Sequence, residues 1–246
     1  MLKGLLKLSW IETKVFVREP LGVIGSLAVP VLVFVMVGRT MQAAGRGGAV
    51  PQTPFNITIL AALLIVLGAV QSLIAIMAIY REGGILKRLR ATPLSPVTIL
   101  GAHVLVKLAF TLVSLVLLMF AGRRILPGAL PLDMVSFSAA VLLGTLSILS
   151  LGFVLASIVP TARFAQPLSA MVLYPMIALS GLFFPIASMP RPLRTIAYLL
   201  PTTHAVSLMQ GVWDGTSWLA QSGTIAALLL AFTVCITLSA RWFRWE

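Results

Sequence analysis

Long apolar runs, each followed by a short polar stretch, organise this chain. Residues 21–37, 57–79, 99–120, 135–159, 168–186 and 222–240 hold no Asp, Glu or Arg, and Lys107 is their sole lysine. A helix needs about 20 apolar residues to cross a hydrocarbon core, so the six runs predict six transmembrane helices. A transmembrane barrel would instead alternate apolar and polar positions over segments of about 10 residues, and no such pattern occurs. Prolines and glycines set the finer grain. Pro30 predicts a kink in the first span, tolerated where neighbouring helices re-satisfy the freed carbonyl. Residues 38–55 read as a loop.

Three stretches do not fit as spans. Residues 2–18 place Lys3, Lys7, Lys14 and Arg18 on one helical face and Leu2, Leu5, Leu6, Trp10 and Val17 largely on another. This predicts a basic amphipathic helix in the headgroup region, with a disordered basic tail as the alternative. Its charges also break up any apolar core of a cleavable leader. Residues 80–98 form a charged island that carries Arg81, Glu82, Lys87, Arg88 and Arg90. Residues 187–221 are too punctuated for a span. Pro190, Pro192, Pro201 and Gly211 divide them, predicting two short helices over 191–200 and 204–213.

Composition agrees with the pattern: 59% of residues are hydrophobic, 10% are charged, and the mean hydropathy is +1.06. The fold class is therefore an all-α integral membrane protein, read as one transmembrane domain over residues 1–246. The net charge of +12 points to membrane orientation instead of nucleic acid, because cytoplasmic loops are enriched in Lys and Arg. With the amino terminus inside, eleven basic residues are cytoplasmic (Lys3, Lys7, Lys14, Arg18, Arg81, Lys87, Arg88, Arg90, Arg163, Arg241 and Arg244). Six are external: Arg39, Arg46, Arg123, Arg124, Arg191 and Arg194. The expectation is a multi-pass protein of the inner or plasma membrane, with both termini and the charged island in the cytoplasm.

The fourth span is dense in Gly144, Ser147, Ser150, Gly152 and Ser157, small residues that let helices approach closely, so it is expected in the protein interior. All six carboxylates (Glu12, Glu19, Glu82, Asp133, Asp214 and Glu246) fall outside the spans. An ion-coupled carrier usually buries one. Lys107 lies four residues after His103; it either snorkels to the surface or meets cargo. Within these 246 residues there is no G-x-x-x-x-G-K-[ST] phosphate loop. The two histidines and Cys235 lack metal-ligand spacing. An intramembrane hydrolase built on Ser180 and His204 would need the two within hydrogen-bond reach; helix packing explains Ser180-Gly181 as well. A stand-alone carrier or channel is the other reading.

Two motifs then point to a family. Glu82-Gly83 is followed by Leu86-Lys87-Arg88-Leu89-Arg90 and Thr92-Pro93-Leu94-Ser95. This resembles the cytoplasmic signature E-x-G-T-L-x-x-L-x-x-T-P of type-2 ATP-binding-cassette exporter permeases, with Gly84-Ile85 departing from it. Leu179-Ser180-Gly181, Phe184-Pro185, Met189-Pro190 and Pro201-Thr202-Thr203-His204-Ala205 resemble the same family's carboxy-terminal block.

The resemblance implies a permease that carries cargo through a path formed with a second permease copy. A separate ATPase subunit would drive it. ATP and Mg would be bound by that partner, with no cofactor held by this chain. It also implies a coupling segment over 80–98 in which Arg81, Glu82, Gly83, Leu86, Lys87, Arg88, Leu89, Arg90, Thr92 and Pro93 meet the ATPase. An external re-entrant segment over 187–221 would follow, with Gly181, Phe184, Pro185, Pro190, Pro201 and His204 at its gate.

Overall fold

The computed structural model describes residues 2–18, 24–45, 56–85, 96–125, 133–159 and 161–242. Among these residues the fold is all-helical. Its elements in order are α1 (Leu2–Arg18), a π-helical turn (Ile24–Ala28) continuing into α2 (Val29–Gly45), α3 (Ile57–Glu82) and α4 (Pro96–Ile125). Then come α5 (Met134–Ile158), α6 (Ala162–Ala178), a 3₁₀ turn (Ile186–Ser188), α7 (Arg191–Leu199), α8 (Pro201–Trp213) and α9 (Ser222–Trp242).

Among the described residues, four helical stretches are long and apolar enough to cross a bilayer: Ile57–Glu82, Thr98–Ile125, Met134–Ile158 and Ser222–Ser239. The other two predicted spans differ from expectation. The first is helical to Gly45, so the predicted loop begins later than residue 38. Its opening turn is π-helical over Ile24–Ala28, just before Pro30. Proline has no N–H to offer the preceding turn, and the wider turn absorbs that gap. The fifth begins at Ala162, inside the predicted turn 160–167, and stops at Ala178 rather than Ile186. Gly181 accounts for the stop, since its φ of +84° is a left-handed conformation that favours glycine.

The centre of the molecule is α3 against α5. Their apolar stretches are 67% and 72% buried, against 11% for α9. The small residues of α5 make this possible. A Cβ at Gly152 would stand 3.0 Å from Val70 Cγ1 of α3, and one at Gly144 would stand 3.0 Å from Ala205 Cβ of α8. Ser147 donates its hydroxyl to the Leu228 carbonyl of α9 (2.9 Å). The expectation that the fourth span is interior holds.

Asp133 caps α5, accepting from the Ser136 hydroxyl and from the N–H groups of Val135 and Ser136. The Ser136 hydroxyl and N–H, with the Val135 N–H, hold its carboxyl below the ordinary range. At the same end Trp218 Nε1 donates to Ser136 (3.4 Å), and Trp213 meets Phe137 edge-on with ring centres 6.2 Å apart. Deeper along α5, Gly144 faces Ala205 and Met209. Helix α8 therefore runs antiparallel to the first half of α5 and reaches about 15 Å along it at 1.5 Å per residue.

Overpacking the α3–α5 seam is expected to be costly. Gly152→Leu should destabilise the protein by about 1–3 kcal/mol, whereas Gly223→Ala, in open space on α9, should leave it unchanged or slightly more stable. Thermal unfolding in detergent compares the two; equal melting temperatures would contradict the packing described.

Candidate functional site

The charged island starts on the last turn of α3, and three consecutive residues there each bind a different part of the chain. Tyr80 donates its hydroxyl to both Glu12 oxygens of α1 (3.0 Å each). Arg81 donates from Nη1 to the Val159 carbonyl, just past the end of α5 (2.6 Å). Glu82 accepts from the Ala162 N–H, the first of α6 (2.9 Å).

The last of these solves a local problem. The first N–H groups of a helix have no intrahelical partner and sit at the positive end of its dipole. Thr161, the residue before α6, makes no side-chain cap, and Glu82 supplies an anionic acceptor from another helix. Arg81 likewise satisfies a carbonyl that α5 leaves open. The turn between α5 and α6 is thereby fastened to the base of the island.

Gly83 and Gly84 end α3. The Gly83 N–H donates to Ile79 O (2.9 Å) and the Gly84 N–H to Arg81 O (3.0 Å). Gly84 has φ +66°, the left-handed stop that commonly closes a helix. The position where the sequence departs from the family pattern is thus where glycine is sterically useful. Of the other predicted coupling residues, Leu86, Lys87, Arg88, Leu89, Arg90, Thr92 and Pro93 lie outside the described residues.

Helix α1 lies along the first turns of α4, with Leu5 facing Gly101 and the Phe16 ring tilted by 53° against Phe110, ring centres 4.3 Å apart. Its buried face is Leu8, Ser9, Glu12 and Phe16, while Leu6, Trp10 and Val17 are exposed. Of the residues on the predicted apolar face, Leu6, Trp10 and Val17 thus lie on an exposed flank, and a second stripe of α1 packs on the rest of the chain.

On that stripe Glu12 is buried beside His103 Nδ1 (3.5 Å). Lys107 lies over the Phe16 ring, Nζ 4.3 Å from its centre. Lys107 is 2% exposed, so it does not snorkel. Burial pushes the Glu12 carboxyl above its ordinary value, against the opposing effects of the Tyr80 hydrogen bond and the Lys107 charge. Sequence reasoning missed this cluster because it judged carboxylates by their distance from the spans. The available signal was His103 and Lys107, spaced i,i+4 on one face of an apolar helix.

At the other end of α6 the carboxy-terminal motif comes together. Thr202 donates to the Met176 carbonyl (3.0 Å), and the Thr203 hydroxyl sits 3.5 Å from Leu179 O. These hydroxyls serve carbonyls at the end of α6, where no intrahelical donors remain. Gly181 forms the turn, Phe184 is exposed, Pro185 and Pro190 precede the 3₁₀ turn and α7, and Pro201 opens α8. The His204 ring nitrogen pairs with Tyr198 O (2.8 Å), and the Ser180 hydroxyl donates to Ile177 O (2.6 Å). Each member of the imagined Ser–His pair is thus engaged with a backbone carbonyl, and no hydrogen bond joins the two among the described residues.

A groove of about 310 Å³ opens beside α3, between Phe16, Ser26, Gly68, Gln71, Ser72 and Gln166. Its polar side chains stand out against the apolar walls of the spans. The groups of three or more His, Cys, Asp or Glu that would hold a metal ion do not occur among the described residues.

These features define a helical membrane protein whose span ends are cross-braced at one pole. The chain belongs to the ABC-2 type transporter family, whose model matches residues 4–213. It is 32% identical over 137 residues to the inner membrane transport permease YhhJ of Escherichia coli (strain K12), covering 54% of this chain and 36% of that protein. The protein of the same name from Shigella flexneri matches to the same extent. The chain thus spans about a third of the length of these curated relatives. No solved structure matches.

Two variants check the braces. Glu82→Ala should cost α6 about 1 kcal/mol at its first turn, the usual size of a lost cap, and Glu82→Gln less, because its amide oxygen still accepts. Faster amide exchange at residues 162–165 is the readout; unchanged exchange in Glu82→Ala would remove the cap. The docking of α1 should also depend on pH. With its value raised, Glu12 supports docking fully below the ordinary carboxylate range, and that support fades as pH rises through the raised value. Exchange protection of residues 5–16, corrected for intrinsic rates, should show this window in the wild type and lose it in Glu12→Gln.

Proposed function

We propose that this chain is the membrane-spanning permease subunit of an ATP-driven ABC exporter of the inner membrane, coupled to a separate ATPase subunit. The observation that carries this reading is the bracing of the island's base. Force applied to residues 83–95 reaches α3 directly, the α5–α6 turn through Arg81 and Glu82, and α1 through Tyr80. A docking loop on slack stems would absorb a motor's movement, and one on braced stems transmits it to several spans together.

In this reading Lys87, Arg88 and Arg90 make charge-assisted bonds to an acidic rim of the ATPase, and Leu86 and Leu89 insert as apolar anchors. Gly83, Thr92 and Pro93 set the exit and return of the segment. ATP and Mg belong to the partner. Both termini and the island are cytoplasmic, six spans cross the bilayer, and α1 presents Trp10, Lys7 and Lys14 to headgroups. Residues 187–221 form an external re-entrant hairpin: α8 descends only half the depth of α5, as a segment that enters and leaves on one side would.

Two permease copies form the path. The exposed face of α6, with Phe164, Met171 and Tyr174, and the polar groove beside α3 support a path closed by the second copy. The cargo class this suits is an amphiphile, such as a drug, a lipid or a lipid-linked glycan. Gly181, Phe184, Pro185, Pro190, Pro201 and His204 would form its external gate.

The test is co-purification with a separately encoded ABC ATPase subunit, followed by ATP-dependent export from inverted vesicles. Arg88→Ala combined with Glu82→Ala should lower both complex yield and export at least tenfold, the effect of about 1.4 kcal/mol. Full export by vesicles lacking any ATPase would favour a stand-alone carrier or channel.

A further inference from the structure

Glu12 stands where three helices meet. Tyr80 of α3 donates to both of its oxygens, and His103 of α4 approaches to 3.5 Å. Lys107 adds its charge one turn further along α4. The Tyr80 and His103 rings meet edge-on, with centres 5.6 Å apart. These three are the titratable and charged groups that face Glu12 from the helices packed against it. Beneath them Leu8 of α1 joins Ile99 and Ala102 of α4 in a small apolar cluster.

The position along the chain gives the cluster its meaning. Tyr80 lies three residues before the segment 83–95, and α4 begins at Pro96, directly after it. One carboxylate on α1 therefore touches the outgoing and the returning stem of the same segment. A carboxylate buried for packing alone has no reason to choose these two stems. It also carries a desolvation cost that only well-made partners offset.

We propose that Glu12 is the positioning residue of a latch that holds α1 across both stems of the 83–95 segment, so that α1 and the two stems move as one body. Its functional meaning rests on the reading of 83–95 as the ATPase-coupling segment; its mechanical content does not. Tyr80 is the donor that orients the carboxylate. His103 and Lys107 keep it on the α4 side, and Phe16 screens Lys107 from the groove beside α3. A helix at the membrane surface thereby becomes part of the lever, and a pull on it reaches the same stems that an ATPase would move.

The experiment is amide exchange on the full chain in lipid nanodiscs without nucleotide, following peptides from α1 (2–18) and from the two stems (76–85 and 96–107) together. Glu12→Ala should speed exchange about tenfold in both regions, the scale of a lost hydrogen bond to a charged group. Glu12→Gln, whose amide oxygen still accepts from Tyr80, should restore most of the protection in both. Tyr80→Phe removes one donor with little change of shape and keeps the test open should Glu12→Ala fail to insert; it should act in the same two regions. Gly223→Ala, in open space on α9, should change neither.

Faster exchange confined to residues 2–18 would make Glu12 a local anchor and overturn the latch. So would equal loss of protection in Glu12→Gln and Glu12→Ala. These outcomes are independent of the co-purification experiment. A latch without an ATPase partner would refute the coupling reading alone, and a partner without a latch would refute this proposal alone.

Discussion

The last turn of α3 is the joint on which the rest of this structure depends. Residues 80, 81 and 82 follow one another by about 100° around the helix, so neighbouring side chains leave in three directions. Tyr80 reaches α1, Arg81 the end of α5 and Glu82 the start of α6. Two of these partners are backbone groups at helix termini, which have no hydrogen-bonding alternative within their own helices. The joint thus satisfies groups that would otherwise need water and fixes four helices relative to one another. Its polar bonds are made at one pole of the bundle, at the ends of the helices they join.

The interior works by a different rule. The helices around α5 approach closely and glycine sets the spacing: an added Cβ would stand 3.0 Å from Val70 of α3 at Gly152 and 3.0 Å from Ala205 of α8 at Gly144, so the neighbours would have to shift. In a bilayer the solvent for the outer faces is as apolar as the core, so helix association draws on packing and not on hydrophobic exclusion. That is why α5, richest in glycine and serine, is the central helix, while α9 presents leucines outward. Tight packing in the middle and polar bracing at the pole thus hold the helices of this ABC-2 type transporter family member together by two different means.

Much of this was legible in the residues themselves. Run length and composition are local properties, so four of the spans, the interior place of α5 and the two short helices before α9 follow from the chain alone. Helix ends were less legible. The first span persists to Gly45 past a π-turn, and the fifth stops at Ala178, because proline and glycine act through the local backbone path, which hydropathy does not record. The buried stripe of α1 was not legible either. A helix with apolar residues on two sides has more than one face to pack, and only α4 decided that Leu8, Glu12 and Phe16 turn inward.

The division is sharpest at the charged residues. Arg81, Glu82, His103 and Lys107 are visible in the sequence as exceptions in an apolar chain, and their number and order place a polar pole between the second and third spans. Their partners are not visible. Arg81 pairs with Val159 and Glu82 with Ala162, about 80 positions away in sequence, and Glu12 with Tyr80 across 68. Hydropathy is a sum over neighbours in the chain and determines what crosses the membrane. A hydrogen bond depends on neighbours in space, so only the packing of α1, α4, α5 and α6 around the end of α3 decided which charges became braces.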